Sequence, residues 1–328
     1  MEKDMGQETS LEIRKLEEDL FVVSYRGEDG LTEFLNRGGA SSDEEVIRFV
    51  QDWLSLEDTC LQMRESSFGC STISARGSQG KALFGRNFDW NPCEAWIVQS
   101  APACGYASIS TVNMDFIGEN GEAGREKLPE TVRVIAALYA PLDGMNEKGL
   151  CVSVNMIQDT DGIGQKRGKT NLTTTTAIRL LLNRAANVEE ALELLAQYDL
   201  HGSLGMMVHF ALADAEGNCV VAEYIGNELT ITETPIVTNH YLAAGEKYGI
   251  GSDESKLRFG ILEETMKRHK MTDMEAIRDA LCRVSKSNFN SSFAATEWSI
   301  VYNQDSGEVR FYHRENYDHV YPFTVKYS

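Results

Sequence analysis

The chain has 328 residues, 31 of them basic and 50 acidic, giving a formal net charge of -19 with 42% hydrophobic residues. That charge argues against nucleic acid and anionic membrane surfaces as partners, and no apolar run approaches the roughly 18 residues needed to span a bilayer. The length suits one large core, and no Pro- or Ser-rich linker divides the chain after residue 70. The opening MEKDMGQETS lacks the apolar centre of a signal peptide, and seven cysteines without CxxC spacing suit reduced thiols, so a cytoplasmic location is expected.

In chain order, a helix is expected around Leu11 to Leu20, then a strand at Phe21-Val22-Val23-Ser24-Tyr25. Ser42 and Glu45 form a capping box before Val46, Phe49, Val50, Trp53 and Leu54 at helical spacing. A strand, turn and strand follow between Cys70 and Trp90, pivoting on Gly77-Ser78-Gln79-Gly80. Leu128 to Ala140 and Leu150 to Ile157 read as strands, joined by a turn at Asn146-Glu147-Lys148-Gly149. Thr173 to Ala186 and Val188 to Tyr198 read as helices, the second capped by Asn187. Met206 to Ala213, Cys219 to Ile225 and Leu229 to Glu233 form a meander, followed by helices at about 254 to 269 and 273 to 286. A hairpin, Glu297 to Tyr302 with Val309 to His313, ends the pattern. Antiparallel strands with segregated helix pairs give an α+β protein.

The chemistry concentrates at Ser66 to Trp90, SSFGCSTISARGSQGKALFGRNFDW. A thiol with an ordinary pKa of about 8.5 is largely protonated at neutral pH and needs a base. No histidine lies near Cys70 in sequence. Were the Gly69-Cys70 bond cut, the α-amino group freed on Cys70 would sit beside the thiol and could take its proton. Arg86 would then stabilise the thiolate and Asp89 would orient the amine. By residue type alone, a buried cysteine beside an ordinary Arg and Asp ion pair explains the same residues.

Resemblance decides between these readings. Cys70-Ser71-Thr72, followed by Gly85-Arg86-Asn87-Phe88-Asp89-Trp90, resembles the opening of the choloylglycine hydrolase-like branch of the N-terminal nucleophile (Ntn) hydrolases, the linear amide carbon-nitrogen hydrolases. Asp143-Gly144-Met145-Asn146-Glu147-Lys148-Gly149-Leu150, Val154-Asn155, Val237-Thr238-Asn239 and Ser255-Lys256-Leu257-Arg258-Phe259 match in family order. The resemblance implies a four-layer αββα sandwich of antiparallel sheets. It also implies Cys70 as nucleophile and base, Arg86 and Asp89 as its partners, Asn155 and Asn239 at the oxyanion hole or beside the amine, and Arg258 completing the cluster.

Two departures from the bile salt hydrolases matter. Here residues 1-69 precede the cysteine, so exposure of the amine requires autocatalytic cleavage, leaving 70-328 as the catalytic domain. The interval between Asn239 and Arg258 is short where those enzymes carry a longer excursion used in tetramer assembly. A tetramer is therefore not implied and the state of any homo-oligomer stays open. The leader is expected to be a partly helical, folded prosegment that covers the substrate cleft and is either removed or retained after cleavage.

The implied reaction is hydrolysis of an acyl amide through a thioester, with no metal or cofactor. Substrates in view are conjugated bile acids, N-acyl amino acids, fatty-acid amides and penicillin V-like compounds, with Phe88, Trp90, Trp96 and Met145 near a hydrophobic acyl group. Acyl transfer to another amine, and a non-catalytic binding protein with its leader uncut, are the alternatives. Cys60, Cys93, Cys104, Cys151, Cys219 and Cys282 are read as packing residues. Gly162 to Thr170 fails as a phosphate loop because Ile163 stands where a glycine is needed. The histidines show no metal-ligand spacing, and His240 is expected to face solvent or bond to backbone.

Overall fold

The computed structural model describes residues 9–55, 69–117, 128–289 and 295–325; Cys60 and the rest of 56–68 lie outside them. The first element corrects an expectation. In Ser10-Leu11-Glu12-Ile13-Arg14 the apolar residues recur at every second position, the period of a strand. Residues Ser10–Glu17 form strand β1 rather than a helix, paired antiparallel with β2, Leu20–Gly27, across a tight turn with Asp19 at positive φ. Two helices follow, α1 (Leu31–Asn36) and α2 (Asp43–Trp53). Ser42 caps α2 by accepting from the Glu45 amide, while the Glu45 carboxylate turns back to the Ser41 amide at 2.7 Å, one residue upstream of the expected box. The buried face of α2 is Val46, Phe49 and Val50, with Phe49 edge-on to Phe34 at 5.1 Å.

The nucleophile hairpin is β3 (Gly69–Arg76) and β4 (Ala82–Trp90), with Cys70 opposite Phe88. Strands β5 (Ala95–Pro102) and β6 (Ser108–Asn113) follow. Leu128 to Ala140 is not a strand: Glu130–Leu138 is helix α3, with Pro129 at its N-cap. Residues 134–140 are buried without a break and so carry no period that separates a core helix from a core strand, and the proline before the helix was the usable signal. Strands β7 (Asp143–Asn146) and β8 (Cys151–Met156) form the expected hairpin over Gly149 at positive φ.

Next come β9 (Asn171–Thr173), α4 (Thr174–Arg184), α5 (Val188–Gln197) and β10 (Asp199–His201). Strands β11 (Val208–Ala213), β12 (Cys219–Ile225), β13 (Glu228–Glu233) and β14 (Ile236–Val237) lead to helices α6 (Asp253–Arg268) and α7 (Met274–Arg283). The chain closes with β15 (Ala295–Asn303), β16 (Glu308–His313) and a further strand, β17 (Tyr321–Thr324), that sequence reading missed.

These strands build a nine-stranded sheet, β1-β2-β5-β6-β7-β8-β11-β12-β13, and a six-stranded sheet, β14-β3-β4-β15-β16-β17. Within these two sheets the pairings are antiparallel except β2 with β5, which is parallel over eight residue pairs from Leu20↔Ala95 to Gly27↔Pro102; β9 and β10 pair in parallel as a separate two-stranded sheet. The two large sheets face each other across a core of Phe84, Phe88, Met145 and Trp298. Helices α6 and α7 pack outside the six-stranded sheet on Ile73, Leu83 and Val301. Helices α3, α4 and α5 cover the nine-stranded sheet. The result is the α+β, four-layer αββα arrangement of the Ntn hydrolases.

Residues 9–55 add two strands and two helices to this body. Leu20, Val22 and Val23 are in the main core. Asp29 pairs with Arg179 of α4, both side chains nearly buried, and the Asp29 carbonyl accepts from the Tyr139 hydroxyl at 3.0 Å. Among the described residues no helix is long and apolar enough to cross a membrane. Cys93 and Cys151 are buried, as expected of packing residues, but Cys104 is exposed.

Candidate active site

Strand alternation sorts the site into two sets. On β3, Cys70 and Thr72 point between the sheets while Gly69, Ser71 and Ile73 face the helices, and on β4 Phe84, Arg86 and Phe88 point inward. The thiol therefore meets Arg86, and the main chain of Cys70 meets the polar groups around Asp89 and α6.

The inward set is fully buried. Arg86 Nη2 donates to Cys70 Sγ at 3.2 Å and to the Val154 carbonyl at 2.8 Å, and Nη1 pairs with Asp143. Asp143 also accepts from the Tyr302 hydroxyl at 2.8 Å and from Trp298 Nε1 at 3.4 Å. Burial pushes the Cys70 thiol above its usual range, Arg86 pulling it down and Asp89 adding to the rise. Burial disfavours the Arg86 charge too, but Cys70 and Asp143 outweigh it and raise its pKa.

The second set surrounds the nitrogen and carbonyl of Cys70. β14 pairs with β3 at Ile236↔Ile73 and Val237↔Thr72, so the same register carried two residues further sets Asn239 opposite Cys70. There the side chain replaces the ladder: Asn239 Oδ1 accepts from the Cys70 nitrogen at 2.8 Å, and its Nδ2 donates to the Met156 carbonyl at 2.7 Å. Arg258 Nη2 donates to the same Oδ1 at 2.7 Å, while Nη1 donates to the Cys70 carbonyl at 2.7 Å and to Ser71 Oγ at 2.6 Å. Arg258 Nη1 lies 3.4 Å from Asp89 Oδ2. Asp89 Oδ1 accepts from Thr296 Oγ1 at 2.7 Å, but Oδ2 is buried without a hydrogen bond. Burial raises the Asp89 carboxyl above the usual carboxylate range, against the pull of Arg258 and Thr296.

Five of the six residues singled out from sequence thus touch one another: Cys70, Arg86, Asp89, Asn239 and Arg258. Asn155 stands one step away. Its Nδ2 is directed at the Val237 carbonyl (3.2 Å), the Thr238 carbonyl (3.4 Å) and Thr72 Oγ1 (3.3 Å), and its Oδ1 accepts from Ser153 Oγ at 3.2 Å. It supports the Asn239 segment rather than Cys70 itself. Sequence reading missed Asp143, although it opens the Asp-Gly-Met-Asn run, and Thr296, which nothing in its surroundings marks. His240 is buried, bonded to the side chains of Thr238 and Ser255 rather than facing solvent or backbone. Phe88, Trp90, Trp96 and Met145 are all core residues, Phe88 stacked on Trp298 at 4.1 Å. Among the described residues no group of three or more His, Cys, Asp or Glu is placed to hold a metal ion.

Comparison with known proteins identifies the family and the fold. The model for linear amide C-N hydrolases, choloylglycine hydrolase family, matches residues 70–240. A structure of a variant of the conjugated bile acid hydrolase from Clostridium perfringens superposes with a TM-score of 0.58 at 17% identity, covering 78% of this chain and 92% of that one. Penicillin V acylase from Agrobacterium tumefaciens superposes with a TM-score of 0.54 at 17% identity, covering 74% and 83%. No curated protein sequence matches. With just over half its length matched and the Ntn-hydrolase fold in place, the chain belongs to the choloylglycine hydrolase family of linear amide carbon-nitrogen hydrolases.

Proposed function

We propose that the protein is a cysteine Ntn hydrolase that cuts its own Gly69-Cys70 bond and then hydrolyses N-acyl compounds through a thioester on Cys70. One observation carries the reading: the two reactive groups of Cys70 are held separately, the thiol by Arg86 at 3.2 Å and the nitrogen by Asn239 at 2.8 Å. The acceptor on the nitrogen is a side chain standing where the β14 ladder has ended, so it would stay in place when the amide becomes an amine.

In the precursor, Cys70 Sγ attacks the Gly69 carbonyl, the C–S bond forms as the peptide C–N bond breaks, and the thiol proton passes to the nitrogen, freeing the Cys70 amine; water then cleaves the thioester, releasing Gly69 as a carboxylate and restoring the thiol. A Cβ at Gly69 would sit 3.1 Å from Asp89 Oδ2, so departure of Gly69 would leave the new amine near an oxygen that has Arg258 at 3.4 Å but no hydrogen bond. In turnover the amine takes the thiol proton, the thiolate attacks the acyl carbonyl, and the ammonium protonates the departing amine. Water then attacks the thioester with the amine as base, and the acid leaves.

Conjugated bile acids, N-acyl amino acids, fatty-acid amides and penicillin V-like compounds remain the substrate candidates. The leader stays bound after the cut because β2 lies between β1 and β5, and the Asp29 and Arg179 pair ties it to α4.

Intact-mass spectrometry with N-terminal sequencing tests the reading. A new chain beginning Cys-Ser-Thr-Ile is expected from the wild type, slow processing from Cys70→Ser and an uncut chain of 36.6 kDa from Cys70→Ala. A wild type that stays intact through prolonged incubation and a pH shift overturns it.

A further inference from the structure

Beneath the Asn239 segment lies a buried pair that the chemistry above does not use. Strands β8, β11 and β12 are neighbours, and their registers set His209 beside Asn155 on one side and, one step from Phe210↔Ala222, beside Glu223 on the other. His209 and Glu223 are both fully buried. His209 Nδ1 is 2.9 Å from Glu223 Oε1 and its Nε2 is 2.8 Å from the Thr238 carbonyl, so each ring nitrogen faces an acceptor and both donate. Glu223 also accepts from the Leu242 amide at 3.0 and 3.2 Å and from the Ala243 amide at 2.6 Å. Burial acts against the Glu223 charge, but His209 and these amides outweigh it and hold the carboxyl below its ordinary range.

The endpoints of these bonds show what the pair is for. Thr238 precedes Asn239 and receives both His209 and, at 3.4 Å, Asn155. Leu242 and Ala243 follow Asn239, and the Asn239 amide itself donates to Ser255 Oγ at 2.7 Å. A buried ion pair that only filled the core would be poorly repaid for its desolvation. This one spends its remaining bonds on a short segment whose own backbone pairing is a single bridge, His240 with Gly251, and the bonds of Tyr241 to Gly249 and Ile250.

We infer that His209 and Glu223 are positioning residues: they clamp the chain on both sides of Asn239 and so aim its Oδ1 at the Cys70 nitrogen. The inference rests on the proposed role of that nitrogen. Displacing an acceptor by a fraction of an ångström is enough to slow a reaction that depends on alignment.

A double-mutant cycle tests it on the full chain, with self-cleavage followed by intact mass across pH. Glu223→Gln and His209→Gln are each expected to slow cleavage about 10-fold to 100-fold, and to move the midpoint of its pH profile, which a general loosening of the core would leave in place. Added to Asn239→Ala, either change should cost less than about twofold more, because the clamp has nothing left to aim. Equal slowing in both backgrounds, or Glu223→Gln cleaving at the wild-type rate, overturns the inference. If Glu223→Gln does not fold, Glu223→Asp keeps the charge on a shorter arm and supplies the same comparison. Asn239→Ala cleaving at the wild-type rate overturns the reading of the Cys70 nitrogen, and this inference with it.

Discussion

Arg258 reads the backbone of Cys70, donating to its carbonyl oxygen at 2.7 Å from the helical layer, while the thiol points the other way into the space between the sheets. The same guanidinium reaches Ser71 and Asn239, so one side chain ties β3 to the start of α6 and to the segment after β14.

Lysine cannot reproduce that fork. Arg258→Lys is expected to fold and to lose self-cleavage and turnover by about 100-fold or more, the scale seen when one oriented donor is removed from a reacting centre. Rates measured beside the melting temperature check this; a full-rate Arg258→Lys would make the arginine a packing residue.

Asp143 is the counter-charge that lets Arg86 sit fully buried beside the thiol. Asp143→Ala strands that guanidinium and removes the acceptor of Tyr302, and should destabilise the protein by about 3–5 kcal/mol. Urea unfolding of the uncut Cys70→Ala background reads the loss without interference from processing.

His240 carries the clearest pH signature. Burial is the main cause holding its pKa at about 4, well below the ordinary histidine value, so the folded state binds fewer protons than the unfolded chain as the solution is acidified. The stability this contributes is complete above the unfolded value of about 6.5 and lost as pH falls through the folded value of about 4. His240→Gln should flatten the decline of urea stability across that window, and an unchanged slope would show that other groups govern it.

The leader contact makes a separate prediction. Arg179→Met leaves Asp29 buried without its partner and should cost about 3–5 kcal/mol. In the cleaved protein the loss is expected to appear as release of the leader on size-exclusion chromatography under mild urea, where the wild-type pieces travel together.

The legible part of the sequence was the part with local grammar. Turns at Gly149, caps at Ser42 and Asn187, and the hairpin from Cys70 to Trp90 each have their cause within a few residues. Leu128 to Ala140 reads as a strand because its second half, residues 134–140, is buried without a break and shows no period. At Leu11 to Leu20 the alternation was present, but Leu16, next to the register shift in β1, blurred it toward a helical spacing. The site divided the same way. Cys70, Arg86 and Asp89 lie on one hairpin, whereas Thr296 and Glu223 reach the cluster only because distant strands become neighbours, which no local pattern records.

The parallel pairing of β2 with β5 would change its meaning under the proposed cut. In the uncut chain it closes a loop; in the proposed two-chain form the identical hydrogen bonds would join two chains. Dilution would then act on the product and not on its precursor. Assembly would run in one direction, and an enzyme unfolded after the cut would have to find its own first strands again by collision.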